Sequence, residues 1–208
     1  MIYLIGGPPR CGKTTLAERL SEHLHIPWIP TDYLESVVNQ YIPESEVHPL
    51  TRMRQTTHKN NDVFYREYSA DQIITFYRDK AKTTWPGLKA FIEYAAHEQR
   101  SFILEGLHID PAYLSDVPTA TTHSIRSLFL HRTNHKEIED GFRKSKEKHD
   151  WVIEHTNNRE TFSAIATMIS EYGVQIREEA KERNLPACCM DGNFETQMQK
   201  ALDTLLRR

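Results

Sequence analysis

The chain has 208 residues and a formal net charge of −3, with 38% hydrophobic and 26% charged residues. This length can bury one good core with a small inserted domain, but hardly two large independent domains. The acidic balance disfavours a general nucleic-acid binder or a protein that binds anionic membranes, and no apolar run approaches the roughly 18 residues of a membrane span. Three cysteines, with Cys188 and Cys189 adjacent, predict free thiols. We therefore expect a cytoplasmic protein without membrane or nucleic-acid partners.

The chain begins with a short apolar stretch, residues 2–5, which we predict as a buried strand. The sequence GGPPRCGKTT follows immediately and carries the complete pattern G-x-x-x-x-G-K-[ST]. The fixed positions of this pattern are filled by Gly7, Gly12, Lys13 and Thr14. A helix is predicted directly after the loop by the four-residue spacing of Leu16, Leu20 and Leu24. Both flanks that this motif requires are present, which argues against a glycine-rich turn that matches by chance.

This pattern is typical of a loop that holds the phosphates of a nucleoside triphosphate. Its glycines let the backbone direct N–H groups at the phosphates, its lysine reaches the β- and γ-phosphates, and its threonine hydroxyl binds Mg²⁺. The N-terminus of the following helix adds positive potential. The sequence therefore predicts ATP and Mg²⁺ as cofactors, with GTP left open as the nucleotide. The predicted nucleotide contacts are Gly7, Pro8, Pro9, Arg10, Cys11, Gly12, Lys13, Thr14 and Thr15.

A second strand is predicted at Trp28–Ile29, and Asp32 follows it in the sequence WIPTDYLE. A carboxylate at the carboxyl end of a parallel strand lies at the edge where such sheets bind ligands. There Asp32 can accept a proton from the hydroxyl of a phosphoryl acceptor, or hold that hydroxyl in line with the γ-phosphate. A helix N-cap or a first-turn acid explains the same residue, and both interpretations stay open. Apolar residues then recur at helical spacing, which predicts a helix that packs these side chains in the core: Leu34, Val37, Val38 and Tyr41.

Residues 42–68 are polar and fit the alternation of strands and helices poorly. We predict that they form a substrate-binding insertion. Arg52 and Arg54 can clamp an anionic acceptor by bidentate hydrogen bonds, although surface solubility explains them nearly as well. The other basic residues of this stretch are His58, Lys59 and Arg66.

Patterns in the middle of the chain predict helices and then a third strand. Ser69 and Gln72 form a capping-box pattern that opens a helix with Ile73, Phe76 and Tyr77 on one side. A second helical pattern covers residues 88–95. The third strand is predicted at Ser101–Leu104.

Glu105 ends this third apolar run, so its carboxylate is expected at the ligand-binding edge of the sheet. That position suits a second carboxylate near Mg²⁺, and Gly106 permits close approach of backbone or ligand. Glu105 and His108 are also candidate contacts of the acceptor substrate, with ordinary loop polarity an equally good explanation of His108. No CxxC or HExxH pattern accompanies them, so we predict no zinc site.

The last third of the chain completes the alternation. Strands are predicted at Ser127–Leu130 and Ala187–Met190, and apolar stripes over residues 162–176 and 194–205 predict packed helices. Five strands with helices between them indicate an α/β protein with three α/β/α layers and a five-stranded parallel sheet. Residues 132–159 are instead basic, and either a lid or a solvated helix face explains them. Their most crowded cations are Arg143, Lys144, Lys146 and Lys148.

Taken with these motifs, the chain resembles the adenylate-kinase-like branch of P-loop small-molecule kinases over nearly its whole length. The pattern EG-x-H-x-x-P is also similar to 2-phosphoglycerate kinase, and it is formed by Glu105, Gly106, His108 and Pro111. The resemblance implies a single P-loop kinase domain, residues 1–208. Within it, residues 42–68 would bind substrate and residues 132–159 would close as a lid.

The resemblance also implies roles for single residues. Thr14 would bind the metal and Glu105 would lie in its outer coordination shell. The loop that starts at Asp191 would lie near the adenine. Nucleoside monophosphate kinases usually have Asp-Gly followed by Pro-Arg where this chain has residues 105–108, which argues against a nucleoside monophosphate acceptor. Carried over position by position, the catalytic residues are Lys13 and Asp32, with either Arg132 or Arg143 on the transferring phosphoryl group.

The sequence therefore predicts a Mg²⁺-dependent kinase that transfers the γ-phosphoryl group of ATP to a small hydroxyl- or phosphate-bearing metabolite. A nucleoside or nucleotide kinase is the nearest alternative. A regulatory NTPase and a kinase acting on a macromolecule are more distant alternatives, because the chain has no N-K-x-D motif and no basic stretch interleaved with aromatic residues. We expect a monomer or a homodimer.

Overall fold

The computed structural model describes residues 1–43, 45, 48–57, 59–117, 125–144 and 150–207. The side chains at positions 55, 56 and 144 also fall outside this description. Three basic residues that the sequence analysis named, His58, Lys146 and Lys148, lie outside the described residues, as does the side chain of Lys144.

Five parallel strands form one sheet in the order β2-β3-β1-β4-β5. They are β1 (Ile2–Gly6), β2 (Trp28–Pro30), β3 (Phe102–Glu105), β4 (Ile125–His131) and β5 (Ala187–Cys189). All neighbouring strands pair in parallel, and Glu105 lies opposite Ile5 of β1 on one side and Pro30 of β2 on the other. The predicted five-stranded parallel sheet is confirmed.

Helices cover both faces of the sheet, because alternate residues of each buried strand point to opposite sides. Ile2 and Leu4 pack with α5 (Ala70–His97) and α8 (Arg159–Glu182). Tyr3 and Ile5 pack on the other face with α1 (Lys13–Leu24) and α9 (Phe194–Leu206). The architecture is therefore the three-layer α/β/α arrangement that the alternation predicted.

The two helical patterns between residues 69 and 95 form one helix. The capping box is present as predicted: Gln72 N donates to Ser69 Oγ, and Ser69 N donates to Gln72 Oε1. The helix then continues through Pro86 to His97. Proline normally ends a helix because it lacks an N–H donor and crowds the preceding turn. Here the buried side chains on both sides of Pro86 keep the helix continuous against the core.

Helix α2 (Thr31–Val38) is shorter than its apolar stripe predicted. Tyr41 lies beyond its end and is 84% exposed, and Val37 is also exposed. The assignment of these two side chains to core packing is wrong. Only part of the stripe faces α5, because the helix ends after two turns.

The polar stretches contain short helices. Residues 42–68 contribute α3 (Pro49–Thr56) and α4 (Asn61–Glu67), and residues 132–159 contribute α6 (His135–Lys144) and α7 (Trp151–Glu154). The two stretches meet, since the backbone N–H of Asn61 donates to the carbonyl of His155 at 2.9 Å. Among the described helices, none combines the length and the apolar character that a membrane span requires.

Gly173 allows α8 to approach the backbone that follows β4, and this contact gives a first prediction. A Cβ at position 173 would lie 2.0 Å from the carbonyl oxygen of Arg132. Gly173→Ala should therefore destabilise the protein by about 1–3 kcal/mol in urea unfolding, as overpacking of a close contact usually does.

The matched control is Gly87→Ala, also within a helix. Its Cβ would meet one side-chain atom, Val38 Cγ2 at 2.9 Å at the end of α2, and no backbone atom. This control should be close to neutral, since alanine favours helix by about 1 kcal/mol over glycine. Equal stabilities of the two variants would contradict the close approach of α8 to Arg132.

Candidate active site

The loop after β1 is shaped by glycines in conformations that other residues rarely adopt. Gly7 has a φ of 133° and Gly12 a φ of 84°. A Cβ at Gly7 would lie 2.1 Å from the carbonyl oxygen of Leu130, so this position has no room for a side chain. The loop ends at the N-terminus of α1, as a phosphate-binding loop requires. The Lys13 ammonium donates to the Pro8 carbonyl at 2.7 Å and therefore stays over the loop.

A cleft of about 1370 Å³ lies at the carboxyl edge of the sheet. One part of its lining comes from the phosphate loop and its neighbours: Arg10, Gly12, Lys13, Thr14, Arg132, Gly192 and Phe194. The other part comes from α2, α5 and the polar stretch 42–68: Asp32, Glu35, Ser36, Asn39, Arg54, Lys59 and Lys80. Glu105 lines the cleft between them, because β3 lies between β1 and β2.

Thr14 and Glu105 form the contact that joins the loop to β3. The Thr14 hydroxyl donates to Glu105 Oε1 at 3.1 Å, and the Glu105 side chain is buried. Burial raises the pKa of Glu105 above its ordinary value, although the positive charge of Lys13 and the hydrogen bond from Thr14 oppose this effect. A hydroxyl and a carboxylate side by side offer the oxygen ligands that Mg²⁺ prefers.

Asp32 lies in the first turn of α2 and faces the cleft. The N-cap of this helix is Pro30, and no side chain caps it, so the N-cap interpretation of Asp32 is wrong. Its position as a first-turn acid is confirmed, and this position does not compete with a role at the cleft. A first-turn carboxylate is stabilised by the helix dipole and can still accept a hydrogen bond from a ligand.

His108 lies behind the cleft, not at its surface. Its side chain is 0% exposed, its Nδ1 lies 2.8 Å from Thr31 Oγ1, and its Nε2 lies 3.3 Å from Glu35 Oε2. It does not belong to the cleft lining, so the structure does not bring it to the acceptor side in the way that the sequence analysis expected. Ligand atoms of Asp32, Glu35 and His108 lie within 4.8 Å of one another.

Glu35 and Lys80 are cleft residues that the sequence analysis missed. Lys80 Nζ lies 2.9 Å from Glu35 Oε1, so the space beside the three possible metal ligands already contains a cation. Burial disfavours the ionised form of Glu35, but the close approach of His108 Nε2 at 3.3 Å and the charge of Lys80 outweigh burial and lower its pKa to about 2. Spacing offered one signal, since Glu35 follows Asp32 by three residues and shares its helix face.

The described arginines divide into those that reach the cleft and those that do not. Arg132 lines it, and its Nε lies 3.5 Å from Asp191 Oδ1. Arg54 lines it too, over the ring of Phe64 at 4.6 Å. Arg52 is exposed and lies outside the lining. Arg143 is 63% exposed at its side chain, pairs with Glu139 on its own helix, and does not line the cleft.

The loop after β5 contributes through its backbone and one aromatic ring. Asp191 lies behind the lining, where its Oδ2 accepts from the backbone N–H groups of Thr133 and Asn134. Gly192 and Phe194 are the residues that face the cleft. Phe194 was assigned to a packing stripe, but it is 41% exposed and its ring lies beside Gly12. Helical spacing could not reveal this, because Phe194 is the first residue of α9.

The Glu35 contacts predict a pH dependence of stability. Glu35 has a folded pKa of about 2 against an ordinary value of 4.5. Because the folded value is lower, the ionised carboxylate stabilises the fold fully above the ordinary pKa, and this contribution is lost as the pH falls toward 2. The difference in unfolding free energy between wild type and Glu35→Gln should therefore be largest near neutral pH and shrink in acid, as measured by urea unfolding.

A control variant, Glu171→Gln, removes one exposed carboxylate from α8. It tests whether the loss of any carboxylate has the same effect. A Glu35→Gln difference that stays constant from neutral pH to acid would contradict the contacts of Glu35 with His108 and Lys80.

Comparison with known proteins finds relatives at low identity. No protein-family model matches the chain. It is 26% identical over 210 residues to the 2-phosphoglycerate kinase of Pyrococcus furiosus, which covers 86% of this chain and 67% of that protein. It is 28% identical over 120 residues to the 2-phosphoglycerate kinase of Pyrococcus horikoshii, with 55% of this chain and 37% of that protein covered. The mevalonate-3-phosphate 5-kinase of Thermoplasma acidophilum is 27% identical over 117 residues, covering 56% of this chain and 55% of that protein.

Among solved structures, a gluconokinase from Sinorhizobium meliloti shares the fold. It superposes with a TM-score of 0.55 at 13% identity, covering 98% of this chain and 90% of that chain. The chain spans only about a third to two thirds of the length of the 2-phosphoglycerate kinases that it matches. The chain therefore shares its fold with this gluconokinase and part of its sequence with the 2-phosphoglycerate kinases.

Proposed function

We propose that this protein is a Mg²⁺-dependent kinase that transfers the γ-phosphoryl group of ATP to a hydroxyl of a small anionic metabolite. One observation carries the proposal: the phosphate loop and Asp32 face the same cleft, with the Thr14–Glu105 contact between them. Phosphoryl transfer needs little covalent chemistry from a protein and depends on positioning and on neutralising charge. This arrangement supplies both.

ATP binds with its phosphates in the loop of residues 7–15. Backbone N–H groups of the loop and the Lys13 ammonium bind the phosphate oxygens. Arg132, at the same end of the cleft, is the cation that we assign to the transferring phosphoryl group, in preference to the exposed Arg143. The ring of Phe194 and the backbone of Gly192 are suited to contact the adenine.

The Thr14 hydroxyl and the Glu105 carboxylate are the residues that would hold Mg²⁺, which neutralises phosphate charge when bound. Their fit rests on two oxygen ligands 3.1 Å apart beside the loop. Asp32 then accepts the proton of the acceptor hydroxyl or holds that hydroxyl in line with the γ-phosphate.

Cations on the far side of the cleft support an anionic acceptor. Arg54 and Lys59 line that side, whereas a third cation there, Lys80, is paired with Glu35. The hydrogen-bond partner of Arg54 is the neutral amide of Asn61, so this bond leaves the guanidinium charge in place. Guanidinium groups recognise carboxylate and phosphate by paired hydrogen bonds. The relatives are named for phosphoglycerate, mevalonate phosphate and gluconate, which are hydroxy acids or their phosphates.

The remaining features of the predicted enzyme are part of the same proposal. Residues 42–68 act as the substrate-binding insertion and residues 132–159 as the lid of a single domain. We also propose a cytoplasmic location and a monomeric or homodimeric state, with no nucleic-acid partner.

Lys13 gives the test of the nucleotide half of the site. Lys13→Ala removes the ammonium that balances phosphate charge, so turnover should fall by at least 10²-fold, a loss of the size seen when one such donor is removed. The measurement is ADP release from Mg-ATP with a panel of nucleosides, nucleoside monophosphates, phosphoglycerates, sugars and hydroxy acids. Circular dichroism should show an intact fold, and turnover close to wild type would exclude this role of the loop.

Asp32 gives the test of the acceptor half. Asp32→Asn keeps the shape of the side chain but removes the proton acceptor, which typically contributes 10²–10⁴-fold. Acceptor phosphorylation should fall by about that factor, whereas ATP binding should change little. The matched control is Asp71→Asn, an exposed first-turn acid of α5 outside the cleft. If Asp32→Asn weakens ATP binding and phosphorylation equally, Asp32 only stabilises its helix and has no role toward the acceptor.

A further inference from the structure

Asn61 joins the two polar stretches of the chain inside the protein. It is the first residue of α4 and is 0% exposed. Its Oδ1 accepts from Arg54 Nη1 at 3.3 Å and from Nη2 at 3.4 Å. Its Nδ2 donates to the Trp151 carbonyl and to Thr156 Oγ1, both at 3.0 Å. A buried amide with all these contacts has one orientation available, because a flipped side chain would lose them.

The segment that receives Asn61, residues 150–158, is itself fixed at both ends. At the first end, Asp150 Oδ2 lies 3.0 Å from Arg10 of the phosphate loop, and its other oxygen accepts from Val152 N. At the second end, the backbone N–H groups of Asn157 and Asn158 donate to Asp62. The segment therefore has a defined position relative to the phosphate loop, and so does the Asn61 amide that binds it.

Two partners of Asn61 line the cleft, Arg54 and Trp151, and Arg54 is the charged one. The guanidinium lies over the Phe64 ring, which supports one of its faces. An arginine side chain has several rotatable bonds, and its freedom opposes binding unless another group restricts it. Asn61 accepts hydrogen bonds from both terminal nitrogens of Arg54 and so restricts the orientation of the guanidinium. A guanidinium carries five N–H donors, so others remain for a ligand in the cleft that Arg54 lines.

We propose that Asn61 is a positioning residue that holds the Arg54 guanidinium ready for the anionic group of the acceptor. The inference rests on the proposed function, because it assigns Arg54 to the acceptor. A neutral amide suits this task, since it accepts hydrogen bonds from Arg54 without cancelling its charge. An aspartate at the same place would pair with the guanidinium and weaken its attraction for a second anion.

The test compares binding of 2-phosphoglycerate, which carries both a carboxylate and a phosphate, with binding of ATP by isothermal titration calorimetry. Asn61→Ala and Asn61→Asp should each weaken 2-phosphoglycerate binding by at least tenfold, with ATP binding within twofold of wild type. Arg54→Gln should cause a loss at least as large. The double variant Asn61→Ala/Arg54→Gln should bind 2-phosphoglycerate no more weakly than Arg54→Gln alone, because Asn61 acts through Arg54.

The neighbouring Asn60→Ala is the matched control. Asn60 caps α4, because its Oδ1 accepts a hydrogen bond from Val63 N. None of the described hydrogen bonds joins Asn60 to Arg54. Its loss should cost about 1 kcal/mol of stability while leaving 2-phosphoglycerate binding intact. If Asn60→Ala lowers the affinity for 2-phosphoglycerate as much as Asn61→Ala does, Asn61 only stabilises the fold and does not position Arg54.

The outcomes separate this inference from the proposed function. If Arg54→Gln weakens 2-phosphoglycerate binding but Asn61→Ala does not, the positioning role is wrong and the anionic acceptor stands. If Arg54→Gln has no effect, or if the wild type binds none of 2-phosphoglycerate, gluconate and mevalonate 3-phosphate, the acceptor role of Arg54 is wrong and the inference falls with it.

Discussion

The pairing of β3 between β1 and β2 is the constraint on which the site depends. It puts Glu105 opposite both Ile5 and Pro30, so that the residue after β1, the end of β3 and the first turn of α2 share one edge. Parallel strands bring their carboxyl ends together, and a change of strand order between neighbours opens a crevice there. The loop of residues 7–15, Glu105 and Asp32 thus come from three separate parts of the chain but face one cleft. No loop contact needs to bring them together.

The far side of the cleft depends on a different kind of contact. The described residues of 42–68 and 150–158 lie outside the sheet, and hydrogen bonds between polar groups join the two stretches. Asn61 and Asp62 each take part in three of these bonds, and Asp150 of the second stretch pairs with Arg10 of the phosphate loop. Such bonds are directional, so they fix the Arg54 guanidinium more tightly than apolar packing alone would. Polar contacts therefore connect the far side of the cleft to the loop of residues 7–15.

Much of the fold and the nucleotide half of the site followed from local patterns. The strands were short apolar runs, the loop pattern was complete, and Glu105 and Asp32 followed their strands directly. The acceptor half could not be read in this way, because its contacts join distant residues: Asn61 meets Trp151 90 positions away, and Thr31 meets His108 77 positions away. A polar residue such as His108 looks alike in sequence whether it faces a ligand or is buried behind one. Phe194 was misassigned because helical spacing does not tell where a helix begins relative to a cleft.

The central claim is that this cleft transfers a phosphoryl group to a small anionic acceptor and does not merely hydrolyse ATP. The most direct measurement is ³¹P NMR of the wild-type protein with Mg-ATP and either 2-phosphoglycerate, gluconate or mevalonate 3-phosphate. A new phosphate-ester resonance should appear for at least one of these acceptors and grow in step with the loss of the γ-phosphate signal. Inorganic phosphate as the only product with every anionic acceptor, or a phosphorylated product only with a neutral nucleoside, would contradict it.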